Sequence, residues 1–195
     1  MKSVLISIKP KWCELIVQGK KTIEVRKTVP NLKTPFKCYI YCTKNGIGKE
    51  INGCLVFQFD KENVLHDVTN KIGNGKVIGE FVCDTIYEFP FSWENFTAYG
   101  IKTYRGFEKR RKETCLSIKE IDIYANSNGH TERLFGWHIS DLKIYDKPKE
   151  LSEFKKKVFV ENCCLFGKFN ARRYSLEALK RPPQSWCYVE GMVDE

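Results

Sequence analysis

The chain has 195 residues and carries 33 Lys plus Arg against 24 Asp plus Glu, a formal net charge of +9. This length suits one domain with room for an insertion, and a 42% hydrophobic, 13% aromatic composition supplies the volume for a packed core. No run of about 18 apolar residues exists, which excludes a membrane-spanning helix, and the cationic surplus suits either a polyanionic partner such as nucleic acid or simply a basic surface.

Met1-Lys2-Ser3-Val4 leads into an alternating segment in which Val4, Ile6 and Ile8 interleave with Ser3, Leu5 and Ser7, the pattern of a strand and not of a signal peptide. Pro10 sits where a helix can begin, because its missing N–H is not needed in the first turn. Trp12, Leu15 and Ile16 fall on one helical face, with Trp12 as an anchor against the rest of the fold, and Gly19 is placed to end the helix in a left-handed conformation. Thr22-Ile23-Glu24-Val25-Arg26 then alternates strictly, with Thr22, Glu24 and Arg26 on a polar face and Ile23 and Val25 on an apolar one.

Strands are predicted at 36–42 and 54–59 and across 77–87, the last preceded by the Asn74-Gly75 turn signal, with connecting loops at 43–53 and 60–76. Residues 92–125 read as mainly helical. Within them Ser117 and Glu120 have capping-box spacing, and Ile118 and Ile121 begin an apolar stripe that Asn126–Gly129 interrupts. Residues 136–145 read as a strand whose apolar parity shifts near Asp141, the mark of a bulge. The segment 147–181 is charged and less regular, with Ser175 placed to cap a short helix before Pro182-Pro183. A last strand is predicted at 185–189. Strands at both ends with helices between favour an α+β arrangement over a doubly wound one.

The nine cysteines are odd in number and irregular in spacing. Without an export signal the expected location is cytoplasmic, where thiols stay reduced and act as small buried hydrophobes. Cys38 and Cys42 would share one strand face, and Cys163, Cys164 and Cys187 can approach one another, but no second pair has the spacing of a structural zinc site. No metal or other cofactor is expected. His138, between Trp137 and Ile139, reads as a packed strand residue.

The densest chemistry lies in Gly19-Lys20-Lys21-Thr22-Ile23-Glu24-Val25-Arg26. Two ammonium groups at a helix-to-strand turn precede a carboxylate and a guanidinium on one strand face, so Glu24 can orient the cations toward an anionic ligand. The same spacing also fits a solvated strand edge with an ordinary ion pair. A second candidate is Lys102–Lys112, where Arg105, Arg110 and Arg111 interleave with Tyr99, Tyr104 and Phe107. These residues suit phosphate neutralisation and base stacking, or a solvated helix with its rings turned inward.

Gly19-x-Lys21-x-x-Glu24-x-Arg26 after a short helix, preceded by Ser7-Ile8-Lys9-Pro10, resembles the signature of the ASCH domain family. Gly136–Leu142 resembles a later strand of these domains, and Arg181–Val189 resembles the tail of small ASCH proteins from bacteria and their phages. The resemblance implies a PUA-like mixed β-barrel of about five or six strands over residues 1–146, with a helical insertion near 91–130. Residues 147–195 form a C-terminal extension that returns a last strand. It also implies RNA, or another nucleic acid or nucleotide, as partner, bound in a cleft lined by Gly19, Lys21, Glu24 and Arg26, with Lys20 beside them.

One branch of the family hydrolyses the amide of acetylated cytidine with a lysine, a threonine and a glutamate. Lys21 matches that lysine, but Glu24 stands where the threonine belongs. Thr22 is only a neighbour, and Glu94 and Glu108 are loose candidates for the carboxylate. A threonine nucleophile needs a positioned base, so catalysis by Lys21, Glu24 and Thr22 is the alternative to binding. A protein-binding adaptor is the third reading.

Overall fold

The computed structural model describes residues 2–44, 47–51, 54–58, 75–90, 107–127, 133–165 and 169–191. The first strand, β1 (Lys2–Ile8), is buried on both faces from Val4 onward. It runs antiparallel to the last, β12 (Trp186–Glu190), and parallel to β3 (Phe36–Cys42). β6 (Val77–Cys83) and β9 (Ser140–Lys149) complete a five-stranded sheet in the order β12-β1-β3-β6-β9. A three-stranded sheet, β2 (Ile23–Arg26), β8 (Arg133–His138) and β7 (Ile86–Pro90), is ordered β2-β8-β7.

The architecture is thus mixed α+β and mostly strands. Among the described residues the two sheets share one core, but their hydrogen-bond ladders do not close into the ring that a barrel requires. The stretch predicted as one strand over 136–145 is divided between the sheets at Ile139, whose N–H bonds to Thr22 O. The expected bulge lies just beyond. β9 uses three residues where β6 uses two, and Asp141 takes φ 46°. The stretch 77–87 is similarly split at Asp84-Thr85 into β6 and β7.

Helix α1 (Pro10–Val17) carries Pro10 at its first position and buries Pro10, Cys13 and Ile16. It ends as expected: Gly19, at φ 68°, donates to Ile16 O and Lys20 N–H donates to Leu15 O, which satisfies the last carbonyls. Helix α2 (Phe107–Thr114) is followed by α3 (Ile118–Asn126), which begins with the predicted capping box between Ser117 and Glu120. Residues 91–106, including Glu94, Tyr99, Tyr104 and Arg105, lie outside the described residues.

Three apolar clusters order the layers. Val4, Ile6, Ile8, Cys38, Ile40 and Trp137 meet α1 between the sheets. Leu5, Tyr39, Tyr41 and Val189 on the far face of the large sheet pack on Phe154 and Leu179. Val25, Phe89 and Leu134 on the outer face of the small sheet pack on Ile121 and Ala125 of α3.

Two predicted irregular stretches are strands instead. Residues 43–53 contain β4 (Ile47–Ile51), paired with β5 (Cys54–Gln58). Residues 147–181 contain a short 3₁₀ turn (Leu151–Glu153) and a long antiparallel ribbon of β10 (Lys155–Leu165) and β11 (Phe169–Ala178). Ser175 therefore sits in a strand and caps no helix. The charge of this stretch hid a two-residue alternation, because cross-strand pairing and not burial holds the ribbon.

Gly136 lets β8 pass closely over its neighbours. A Cβ there would stand 2.8 Å from both Ile23 Cγ2 and Phe89 Cε2. Gly136→Ala is expected to destabilise the protein by about 1–3 kcal/mol through overpacking, read from urea denaturation. The Glu120 carboxyl is held below its usual value, chiefly by the Ser117 backbone N–H. A depressed carboxyl stabilises above its unfolded value and loses that effect as pH falls through its folded one. The denaturation gap between wild type and Glu120→Gln is therefore expected to close as pH drops below about 4.5.

Candidate functional site

The pairing register decides where the motif points. Glu24 lies directly opposite Trp137 in the β2–β8 ladder, and Arg26 opposite Phe135. Directly opposed residues share a sheet face, and Trp137 belongs to the core between the sheets. The polar face of β2 therefore turns inward, while Ile23 and Val25 on its other face are buried too, Val25 in the cluster beneath α3. Lys21, Glu24 and Arg26 retain only 2%, 6% and 7% of their exposure, which rules out a solvated strand edge.

The three side chains form one ionic cluster. Arg26 Nη2 is 3.0 Å from Glu24 Oε1, and Lys21 Nζ is 3.3 Å from Glu24 Oε2. Lys21 also donates to Ile23 O at 2.9 Å and to Thr114 O at 2.7 Å. Thr114 closes α2, so the ammonium faces the negative end of that helix. Thr22 N–H bonds to Glu113 O in the same turn, and the helical segment is thereby stitched to β2. Arg26 Nη2 donates to Ser7 O at 2.6 Å and Nη1 reaches Ser185 Oγ at 3.4 Å.

The C-terminal Pro-Pro-Gln-Ser-Trp stretch belongs to this site. Ser7 Oγ donates to Pro183 O, and Ser7 N–H to Ser185 O. Trp186 Nε1 donates to Thr28 Oγ1, and its ring stands 6.0 Å from that of Trp137.

Bonding capacity is left over. Glu24 Oε2, Arg26 Nε and Trp137 Nε1 are buried without a hydrogen-bond partner among the described residues. The Lys21–Glu24 approach at Oε2 is thus a charge contact lacking hydrogen-bond alignment. Trp12 lies over the cluster, with Lys21 Nζ 5.3 Å and Lys11 Nζ 4.4 Å from its ring. Lys20 is exposed beside it, and Gly19 supplies the turn.

The other candidates are dispersed. No hydrogen bond links the Thr22 hydroxyl to Lys21 or Glu24 among the described residues. Arg110 stacks 4.3 Å from the Tyr87 ring, while Arg111 is engaged by Glu108 and Leu116 O. His138 is only half-buried and meets Asp84 Oδ1 at 2.7 Å through Nδ1. Ser7, Thr114 and Ser185 were not named as site residues from the sequence, since they enter through long-range folding; Ser7 and Ser185 lay within the strings that carried the family resemblance, and Thr114 had no local signal.

The thiols around the cluster are structural. Burial raises Cys13, Cys38 and Cys83, the last to about 12. A hydrogen bond from Cys13 lowers Cys42, which is itself buried. Among the described residues no three His, Cys, Asp or Glu side chains are grouped to hold a metal ion, and no helix is long and apolar enough to cross a membrane.

Removing one member of a buried ion cluster leaves an uncompensated charge, whereas replacing the whole with apolar groups of similar size is often neutral or stabilising. Glu24→Gln is therefore expected to cost about 3–5 kcal/mol in urea unfolding, whereas Lys21→Met, Glu24→Met and Arg26→Met combined recover part of the loss, the remainder reflecting the donors withdrawn from Ile23 O, Thr114 O and Ser7 O. A cost for Glu24→Gln near zero would show that water reaches the cluster.

Comparison with known proteins follows the same geometry. The crystal structure of ASCH from Zymomonas mobilis superposes with a TM-score of 0.53 at 18% identity, covering 96% of this chain and 87% of that one. A serine-to-alanine mutant of that protein gives 0.53 at 18%, with 96% and 88% covered, and a tyrosine-to-phenylalanine mutant 0.51 at 19%, with 97% and 91% covered. At such identities these structures speak for the fold alone. No curated protein matches the sequence. The family model of the ASCH domain, a PUA-like fold associated with RNA binding, matches residues 6–163. With most of its length covered, this chain belongs to the ASCH domain family.

Proposed function

We propose that this protein binds RNA, or a modified nucleotide within it, beside α1, with the Lys21–Glu24–Arg26 cluster as the floor of the site. The observation that carries this reading is the unspent bonding capacity of that cluster. Glu24 Oε2, which Lys21 Nζ approaches at 3.3 Å, and Arg26 Nε are both buried without a hydrogen-bond partner among the described residues, where such groups are normally satisfied. A spare acceptor and a spare donor within one cluster suit the donor–acceptor edge of a base.

The roles differ from a simple pair of phosphate-binding cations. Lys21 is directed at two carbonyls and Glu24, so it fixes the carboxylate and does not reach for phosphate. Glu24 reads the ligand, Arg26 ties β2 to Ser7 and Ser185 while offering Nε, and Trp12 supplies a stacking surface. Phosphates fall to cations at the rim, among them Lys20, with Arg110 extending the track. Family membership supports RNA over other polyanions.

The test is fluorescence anisotropy with short single-stranded RNA at two salt concentrations. With three or more phosphate contacts, affinity is expected to fall at least about 10-fold between about 50 and 200 mM salt. The triple methionine replacement of Lys21, Glu24 and Arg26 is expected to remove base preference while the protein stays folded. Salt-insensitive affinity, or a triple variant that binds like wild type, overturns the proposal. Turnover of acetylated cytidine by the wild type would instead favour catalysis.

A further inference from the structure

The β10–β11 ribbon is anchored at its root in the large sheet's apolar cluster. Phe154 and Leu179 bracket it, both buried in the cluster on the far face of the large sheet, and Leu179 N–H closes the pair on Phe154 O at 2.8 Å. Beyond the root the register opposes Lys155 to Ala178, Lys157 to Leu176 and Phe159 to Tyr174, so these six side chains share one face. Phe159, Tyr174 and Leu176 are half-exposed, and so is Val160 at the register shift. The Phe159 and Tyr174 rings meet edge-on at 6.0 Å. The other face presents Lys156 opposite Glu177, and Lys157 is tied to Glu190 of β12 at 3.2 Å.

Lysines alone on such a strand would be read as protection against edge-to-edge pairing. Four large apolar side chains left in water beside them are not protection, and clustered exposed apolar groups mark a binding surface. The charge selects the occupant. Lys155 and Lys157 share the face of the rings, Lys157 held by Glu190 and Lys156 on the reverse face, so a second copy docking here would bring lysines together, whereas a polyanion with flat apolar faces satisfies both parts of the surface. Backbone phosphates meet the lysines and unpaired bases stack on the rings.

We infer that the β10–β11 ribbon is a second contact surface for single-stranded RNA, gripping the strand that enters the site beside α1. This rests on the RNA-binding reading above. β12 links the two places, with Ser185 at the ionic cluster before one end and Glu190 at the ribbon at the other. The span is about 17 Å for five extended residues, which a short single strand can cover.

The test uses the full chain, a fluorescein-labelled single-stranded RNA of about 12 nucleotides, and two variants. Phe159→Ala with Tyr174→Ala is expected to weaken binding at least about 10-fold without moving the denaturation midpoint. Lys155→Glu, on the face of the rings, is expected to weaken it and flatten its salt dependence. If wild type binds the RNA and both variants bind equally well, the ribbon proposal falls and the site beside α1 stands. If wild type binds no RNA, both fall. If sedimentation shows a wild-type dimer that Phe159→Ala with Tyr174→Ala dissociates, with RNA binding unchanged, the ribbon is a self-association surface and the inference is overturned.

Discussion

A single carboxylate between two cations, held away from water, sets the terms for the rest of this structure. Glu24 contacts both Lys21 and Arg26 in the core between the sheets. Desolvating three charges is costly, and their mutual attraction offsets that cost only when each remaining donor finds an acceptor. Apart from Arg26 Nε, the surrounding fold supplies those acceptors, one from Ile23 O in β2 itself and three from distant places: Ser7 O in β1, Thr114 O at the end of α2 and Ser185 Oγ before β12. The cluster is thus a crossing point for segments separated by up to 176 residues in sequence, as in the Ser7–Pro183 bond, and each segment's path is constrained by it.

That constraint explains features that packing alone would not require. Helix α2 ends with its carbonyls directed at Lys21 and Thr22, which fixes a helix that has little apolar surface of its own. The turn through Pro183 and Ser185 is bonded to Ser7 and brings Trp186 onto Trp137. A buried polar network specifies one arrangement more sharply than apolar contacts do, because a displaced partner leaves a charge unsatisfied. The neighbouring thiols add volume without competing for protons, since burial keeps Cys13, Cys38 and Cys83 in the neutral form.

The ribbon follows the opposite logic. Its root is apolar and buried, but its body is held by cross-strand pairs and leaves Phe159, Tyr174 and Leu176 in solvent beside lysines. The interior of this protein is charged where a core would ordinarily be apolar, and its outermost element is apolar where a surface would ordinarily be polar. Both departures from the usual pattern coincide with the two places proposed above to contact RNA.

Local sequence determined much of this by itself. Alternation marked β1 and β2, Pro10 and Gly19 bounded α1, and Ser117 with Glu120 marked the start of α3, because each signal acts within a few residues of chain. The Gly19–Arg26 motif likewise identified Lys21, Glu24 and Arg26 as a unit. What no local pattern contained was the direction in which that unit points. Alternation separates the two faces of β2 but does not say which meets the core. Pairing Glu24 with Trp137 and laying α3 over Val25 settled it, burying both faces. Only the tertiary fold, likewise, brought Thr114 and Ser185 to the cluster and revealed a ribbon in a stretch whose charge resembled a loop. Long-range pairing energies are shared between distant residues, so neither partner's own sequence carries them.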